Sequence, residues 1–242
     1  MAKRPIFVPL QDDLELVREI YFDIIWNPGF APVQKEKNIN ALHHAAAAAG
    51  YANLLEISTK SDEKVGQHLS AFHLKVHCEH VADIPLECAF QGSKVFEKGG
   101  PYTDLYEVDP RAAKRDPRLQ ESGRLMGFKF DNFFFPLEPK TAFYDWLYVN
   151  AIFPHSEWLK RLYRYAGFTD IEFNPYKSIN CQARSCALFV ALMKRNLLAS
   201  AVRSPQSFVE LLSQRAYRPR LKEESPTGAA PFGFKDAGVD SS

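Results

Sequence analysis

Residues 86–96 constrain the fold of this chain more than any other segment, because they combine an apolar helix with one polar stripe. At about 100° per residue, a helix places Glu87, Phe90, Gln91 and Lys94 within an arc of about 100°. The apolar side chains of such a helix anchor it in a core, while the stripe can face a cleft. We therefore expect a domain with its core on one side of this helix and an open site on the other.

Glu87 and Lys94 are seven residues apart, which corresponds to two helical turns, or roughly 10 Å along the axis. This separation is too large for the surface ion pairs that form between residues three or four apart. A catalytic acid and amine in one site fit the spacing. An amphipathic helix with two solvated charges fits it equally well, so the spacing alone leaves both interpretations open.

The composition indicates a globular protein. Hydrophobic residues make up 46% of the 242 residues, and 19 of them are Phe, which is enough to fill a sizeable core. A chain of this length fits one large domain. Thirty basic and 29 acidic side chains give a net charge of +1. Because no overall positive field attracts nucleic acid, any contact with nucleic acid must be local.

The cysteines and the N-terminus predict the compartment. The four cysteines contain no CxxC pair and no pattern typical of a secreted disulfide framework, so reduced thiols are expected. The first residues lack the apolar run of a signal peptide, and no stretch approaches the roughly 20 apolar residues that span a bilayer. We therefore expect a cytoplasmic protein with no membrane partner. His77, Cys78, Glu79 and His80 do not follow a familiar zinc spacing, so we predict no metal site.

Hydrophobic periodicity and breaker residues predict the order of elements. We expect an α+β fold, a predominantly helical single domain with a small sheet. An N-terminal helical extension (1–53) would pack on the core domain (54–216), and a disordered tail (217–242) would follow. Helices are predicted at 12–25, 33–49, 86–96, 138–153, 155–165, 182–198 and from 204 onward. Strands are predicted at 54–58, 69–76 and 171–173, the first two paired.

Several motifs resemble a known superfamily. The spacing Glu-x-x-Phe-Gln-x-x-Lys at residues 87–94 resembles the central signature of the NADAR, or YbiA-like, superfamily. Leu69-Ser-Ala-Phe72 resembles the Leu-Ser-Asn-Phe segment of these proteins, with Ala71 in place of Asn. The resemblance spans roughly residues 54–195. The long N-terminal entry and the run at residues 99–106 are most similar to the DarT-associated NADAR antitoxin branch.

The resemblance implies an enzyme that hydrolyses N-glycosidic bonds of ADP-ribose derivatives, without a cofactor. In the DarT-associated branch, the implied substrate is DNA ADP-ribosylated on guanine, and the implied partner is a DarT-type ADP-ribosyltransferase toxin. Lys94 and Glu87 would be catalytic. Substrate contacts are implied for four further residues: Gln91, Phe90, Ser70 and Phe72. Two alternatives remain at this point, namely a YbiA-like glycosidase of riboflavin-pathway intermediates and a module that binds ADP-ribose or a toxin without catalysis.

Two further groups of residues are candidates for substrate binding. Asp104 and Tyr102 follow a Gly-Gly-Pro turn near the end of the signature helix, where the carboxylate can bind a ribose and the ring can stack on a base. A turn acceptor and a core ring explain them equally well. Asn174, Asn180 and Gln182 precede or begin a predicted helix, whose N-terminus is suited to a diphosphate. For Asn180, a plain N-cap is the alternative.

Overall fold

The computed structural model describes residues 1–11, 14–79 and 81–214. Its strands are β1 (Ala2–Pro9), β2 (Val17–Ile24), β3 (Leu54–Glu56), β4 (Lys75–Cys78), β5 (Val81–Pro85), β6 (Lys94–Phe96), β7 (Leu125–Phe130), β8 (Phe133–Phe135) and β9 (Gly167–Thr169). Its α-helices are α1 (Pro32–Ala48), α2 (Lys64–His68), α3 (Leu86–Gly92), α4 (Pro110–Arg115), α5 (Arg118–Glu121), α6 (Ala142–Ile152), α7 (Ser156–Leu159), α8 (Gln182–Lys194), α9 (Leu198–Ala201) and α10 (Pro205–Gln214).

The strands form three small sheets. The largest has the order β2-β1-β9-β3, with β1 antiparallel to β2 and β9, and β3 parallel to β9. Strands β4 and β5 pair by themselves, and β6-β7-β8 form an antiparallel sheet. The largest sheet therefore joins the N-terminal hairpin to strands from the middle and the later part of the chain.

Helices α6 and α8 lie at the centre of the core. Residues 182–193 of α8 are all buried, because most of this helix is small or apolar and its polar residues Gln182 and Arg184 have polar partners. Helix α6 packs against both α3 and α8. It therefore connects the signature segment on α3 to the residues that precede α8.

The structure is the single α+β domain that the sequence predicts, with several small sheets in place of one. The predicted helices at 33–49 and from 204 are confirmed as α1 and α10. The hydroxyl of Ser204 accepts a hydrogen bond from the backbone of Ser207 at 3.1 Å, which is the expected N-cap. The strand predicted at 54–58 is confirmed as β3, and the helix predicted at 182–198 is confirmed as α8 followed by α9.

Three predicted elements are wrong. Residues 12–25 hold strand β2 instead of a helix, because its β-branched and aromatic residues pair with β1 along eight positions. The segment 69–74 forms turns, since Tyr148 and Gln182 bond the backbone of Leu69 and Ala71 respectively, and β4 begins only at Lys75. The strand predicted at 171–173 lies earlier, as β9, beside β3. The two strands predicted to pair with each other therefore have other partners: β3 pairs with β9, and β4 pairs with β5.

Other helices differ in extent. Helix α3 ends at Gly92, and Lys94 begins strand β6, where it pairs with Phe128 of β7. The predicted helix 138–153 begins only at Ala142, and the region 155–165 is one short α-helix between two 3₁₀ turns. The predicted helical extension is wrong in its first half, which is a β-hairpin; the boundary between residues 53 and 54 stays a prediction. The predicted tail at 217–242 lies outside the described residues.

Candidate active site

A cleft of about 800 Å³ opens beside α3, which is a size typical of small-molecule sites. The turn at 71–72, the α3–β6 segment, the start of α6 and the segment 170–182 all contribute to its walls. Eight of the predicted site residues line this cleft: Phe72, Glu87, Phe90, Gln91, Lys94, Asn174, Asn180 and Gln182. The structure thus brings together residues that are distant in the sequence.

Lys94, Gln91 and Glu87 form a hydrogen-bonded row along one wall. The Lys94 Nζ donates to Gln91 Oε1 at 2.6 Å, and Gln91 Nε2 donates to Glu87 Oε1 at 2.8 Å. Although Lys94 follows the helix rather than continuing it, its side chain still meets the polar face of α3. The amine and the carboxylate are therefore held by one amide, as opposite ends of a fixed row.

The surroundings of Lys94 lower the pKa of its side-chain amine. Burial lowers the pKa of Lys94 to about 8; the Glu87 carboxylate opposes this shift, and the Lys114 ammonium adds to it. The Phe90 ring lies 5.0 Å from Nζ and supplies part of the apolar surroundings. With this pKa, about a tenth of the Lys94 amine is neutral at pH 7, far more than for an exposed lysine.

Aromatic side chains form much of the remaining surface. Phe90 lies 5.4 Å from Phe128 and 5.3 Å from Tyr144, between ring centroids, and Phe128 stacks on Phe143 at 4.7 Å. Phe72 is 52% exposed at the rim. These rings offer flat apolar surfaces of the kind that bind a nucleobase.

The segment 170–182 supplies polar groups to the cleft. Asn174 Oδ1 accepts from the backbone of Tyr176 at 3.0 Å, which fixes this turn. Gln182 Oε1 accepts from the backbone of Ala71 at 2.8 Å and ties α8 to the turn that carries Phe72. Ser70 also donates to Gln182, at 3.4 Å, but it is fully buried and does not line the cleft. The direct substrate contact predicted for Ser70 therefore needs correction, because Ser70 supports the wall from behind.

Tyr102 and Asp104 do not line the cleft, so their predicted substrate contacts stay predictions. Asp104 is held by Arg118 at 2.6 Å, and the Arg118 guanidinium lies 4.5 Å from the Tyr102 ring. The Tyr102 hydroxyl bonds to Ser122. These residues build a separate polar cluster that fixes the loop after the Gly-Gly-Pro turn.

The start of α8 does not form the predicted diphosphate cradle. Ala183 and Ser185 are fully buried, so their N–H groups are closed to a ligand. The N-cap of α8 is Cys181, and the predicted N-cap role of Asn180 is wrong. Arg184 of α8 is buried and ion-paired with Glu19 at 2.9 Å. Asn174 and Asn180 remain on the cleft wall as side chains that can meet polar parts of a ligand.

The cleft residues that the sequence reasoning missed include Tyr144 and Asp170. Tyr144 lines the cleft on α6, and burial raises the pKa of its hydroxyl well above the ordinary value. Asp170 lines it at the end of β9 and is 7% exposed. A polar residue directly after the Gly-Phe-Thr strand was the available signal for Asp170, but the strand itself was placed four residues too late.

Residues 1–11, 14–79 and 81–214 contain neither a metal-binding cluster nor a membrane-spanning helix. No group of three or more His, Cys, Asp or Glu side chains there is arranged to hold a metal ion. Within the same ranges, no helix combines the length and apolar character needed to cross a membrane.

The fold and the cleft together define an α+β protein whose site sets a half-buried amine of lowered pKa, an amide and a carboxylate beside aromatic surfaces. The model of the DarT1-associated NADAR antitoxin family matches residues 2–222, and the chain belongs to this family. The match confirms the resemblance that the signature segment indicated. No curated protein matches the chain.

Proposed function

We propose that this protein is an ADP-ribosyl glycohydrolase that removes ADP-ribose from guanine bases of DNA. In this role it reverses the modification made by a DarT-type DNA ADP-ribosyltransferase and so acts as its antitoxin. Membership of a family of DarT1-associated antitoxins supports the biological role. The observation that carries the chemistry is the bonded row of Lys94, Gln91 and Glu87 on the cleft wall.

The reaction requires cleavage between C1″ of the ribose and the guanine nitrogen, through an oxocarbenium-like state. Lys94 has two possible roles at C1″: it acts as an acid, or its neutral amine attacks C1″ of the opened ribose and forms a Schiff base. The depressed pKa of Lys94 favours a neutral amine. Glu87 orients the ribose hydroxyls or moves a proton. Water completes the reaction, and free ADP-ribose and unmodified guanine are released.

The remaining walls suit the rest of this substrate. The rings of Phe90 and Phe128 offer an apolar surface for a base, and Lys114 and Lys177 place two positive charges on the cleft lining. A diphosphate is stabilised by such charges. The cleft is therefore matched in both size and chemistry to an ADP-ribosyl group.

The test is incubation of the protein with an oligonucleotide ADP-ribosylated on guanine, with free ADP-ribose followed by mass. We expect release by the wild type and a loss of at least about 10²-fold in Lys94→Ala. Lys160→Ala is the matched control, because Lys160 is an exposed lysine paired with Glu157. Near wild-type release by a folded Lys94→Ala variant contradicts the assignment of Lys94.

A second measurement separates the two roles of Lys94. Borohydride added during turnover reduces a Schiff base to a stable amine, so the wild type gains the mass of the bound sugar. No mass gain during active turnover argues for the acid role. If the wild type binds ADP-ribose but releases none from any N-glycoside, a non-catalytic binding module explains the protein better.

A further inference from the structure

Asp170 is a buried carboxyl that the row of Lys94 and Glu87 does not use. Its Oδ1 accepts from the backbone N–H of Glu172 at 3.1 Å, and the Cys181 thiol lies 3.9 Å from Oδ2. The Gln182 amide also hydrogen bonds to it. The Asp170 side chain is thus fixed from several directions while it borders the cleft.

A second carboxyl, Glu56 on β3, is buried behind Asp170. The Glu56 oxygens accept from Ser58 Oγ at 2.7 Å, Thr169 Oγ1 at 2.7 Å and the backbone of Ile171 at 2.9 Å. Within the described part of the chain, no lysine or arginine pairs with Glu56 or Asp170. Ionisation of both buried carboxyls would cost much free energy, because no cation compensates the two negative charges.

The proton balance of this pair follows from its surroundings. Burial raises the pKa of Asp170, and the neighbouring Glu56 raises it further. Burial likewise raises the pKa of Glu56, against the hydrogen bonds that favour its ionised form. Asp170 therefore keeps a proton in a pH range where an exposed aspartate has lost it.

Other titratable groups face this carboxyl from each element packed around it. On α6, burial raises the pKa of Tyr144, and the nearby Glu87, Cys181, Asp170 and Asp145 add to that shift. Burial and then Asp170 raise the pKa of the Cys181 thiol, which stays neutral. Two further groups lie at the edges of the cluster: Glu172, which pairs with Lys35, and His43, which bonds to Thr169.

The proposed reaction needs such a proton. When the C1″–N bond breaks, its electron pair moves to the guanine nitrogen, and an unprotonated nitrogen anion is a poor leaving group. A positioned acid lowers this barrier by about 10²–10⁴-fold. Lys94 cannot supply the proton while it serves as a neutral amine at C1″.

We infer that Asp170 is the general acid that protonates the departing guanine, and this inference rests on the proposed function. The Asp170 O–H proton passes to the guanine nitrogen as the C1″–N bond breaks, and Asp170 becomes a carboxylate. Lys94 Nζ bonds to C1″ as the guanine leaves; water then adds to C1″, the bond from C1″ to Nζ breaks with its electron pair returning to the amine, and the proton released by the water restores Asp170. Lys94 is thereby left to engage C1″ as an amine, and Glu56 acts as a positioning residue that keeps the proton on Asp170.

Two substrates test this role in the full-length protein. One is the oligonucleotide ADP-ribosylated on guanine; the other carries 4-nitrophenol on C1″ of ADP-ribose and needs no acid for its departure. Asp170→Asn is expected to lose at least about 10²-fold on guanine and less than about 10-fold on the nitrophenyl compound. Asp83→Asn is the matched control, because Asp83 is an exposed carboxylate outside the cleft.

The pH profile supplies a readout that a structural role would not change. An acid that must be protonated gives a fall in kcat/KM at high pH, and Asp170→Asn is expected to remove this fall. Glu56→Gln keeps the shape of the buried side chain but removes its charge, so the fall is expected to move to lower pH. Calorimetric binding of ADP-ribose and the unfolding midpoint establish that both variants are folded.

The outcomes separate this role from the proposed function. If the wild type releases no ADP-ribose from guanine, the proposed function fails, and the role of Asp170 fails with it. If the wild type is active and Asp170→Asn is equally active on guanine, only the role of Asp170 is overturned. An equal loss on both substrates also overturns it, because a binding or structural defect then explains the variant.

Discussion

Gln91 is the residue that connects the amine of Lys94 to the carboxylate of Glu87. Its replacement by Glu keeps the shape but sets a carboxylate 2.6 Å from Nζ. The pKa of Lys94, about 8 in the wild type, should then rise, and the neutral fraction of the amine below that pH falls about tenfold for each unit of increase. We expect kcat/KM at pH 7 to fall at least about tenfold in Gln91→Glu.

The pH dependence of kcat/KM checks this expectation. On the nitrophenyl compound, whose departure needs no acid, the wild-type kcat/KM should rise with pH as the Lys94 amine loses its proton, and the midpoint of the rise should lie near pH 8. In Gln91→Glu the midpoint should move to higher pH. Gln206→Glu, on the exposed face of α10, is the control with the same change of charge. An unchanged midpoint in Gln91→Glu would show that the neutral amine is not the active form.

At the scale of elements, Gly100 determines where strand β6 lies. Its φ is +86°, and a Cβ at this position would overlap the backbone carbonyl of Lys94. Gly50, at the end of α1, has a φ of +92° but no atom within 4 Å of such a Cβ. We expect Gly50→Ala to lower the free energy of unfolding by about 1–2 kcal/mol, which is the cost of a left-handed backbone.

Gly100→Ala should cost a further amount of about 1–3 kcal/mol, because the added methyl forces the backbone of Lys94 to move. The same displacement should lower hydrolysis of ADP-ribosylated DNA in the protein that remains folded. Urea unfolding of the two variants measures the first effect, and activity per folded molecule measures the second. Equal stability losses in Gly50→Ala and Gly100→Ala would contradict the predicted contact with β6.

The elements that sequence reasoning found are those with local signals. Pro32 begins α1 and Ser204 caps α10, and neither signal depends on distant residues. Residues 12–25 have apolar positions compatible with either a helix or a strand, and only pairing with β1 decides between them. Such pairing is a long-range property that periodicity does not contain.

The residues of the candidate site likewise differ in whether a local sequence pattern reveals them. Glu87, Gln91 and Lys94 were predicted as a group because they are neighbours in the sequence. The sequence reasoning did not find the ion pair between Asp104 and Arg118, which follows it by more than ten residues, so the substrate contact of Asp104 stays a prediction. Asp170 was missed because its raised pKa depends in part on Glu56 of β3, which is distant from it in the sequence.

At the scale of the whole molecule, Arg184 joins three parts of the chain. It lies on α8 and pairs with Glu19 of β2 at 2.9 Å, and its Nη1 is 3.8 Å from Asp145 of α6. All three side chains are at most 11% exposed. The N-terminal hairpin is also the neighbour of β9 in the main sheet, where Phe7 pairs with Phe168. These contacts make the hairpin a part of the core rather than an appendage.

Loss of the Arg184 guanidinium should therefore destabilise the entire protein. Arg184→Ala leaves two buried carboxyls without their cation, and we expect a loss of about 3–5 kcal/mol in the free energy of unfolding. Lys160→Ala breaks the exposed pair with Glu157 and should cost at most about 1 kcal/mol. Urea unfolding followed by both far-ultraviolet circular dichroism and tryptophan fluorescence should give one shared transition for each variant. If the hairpin instead unfolded in an earlier, separate transition in Arg184→Ala, residues 1–53 would be an independent unit packed on the core.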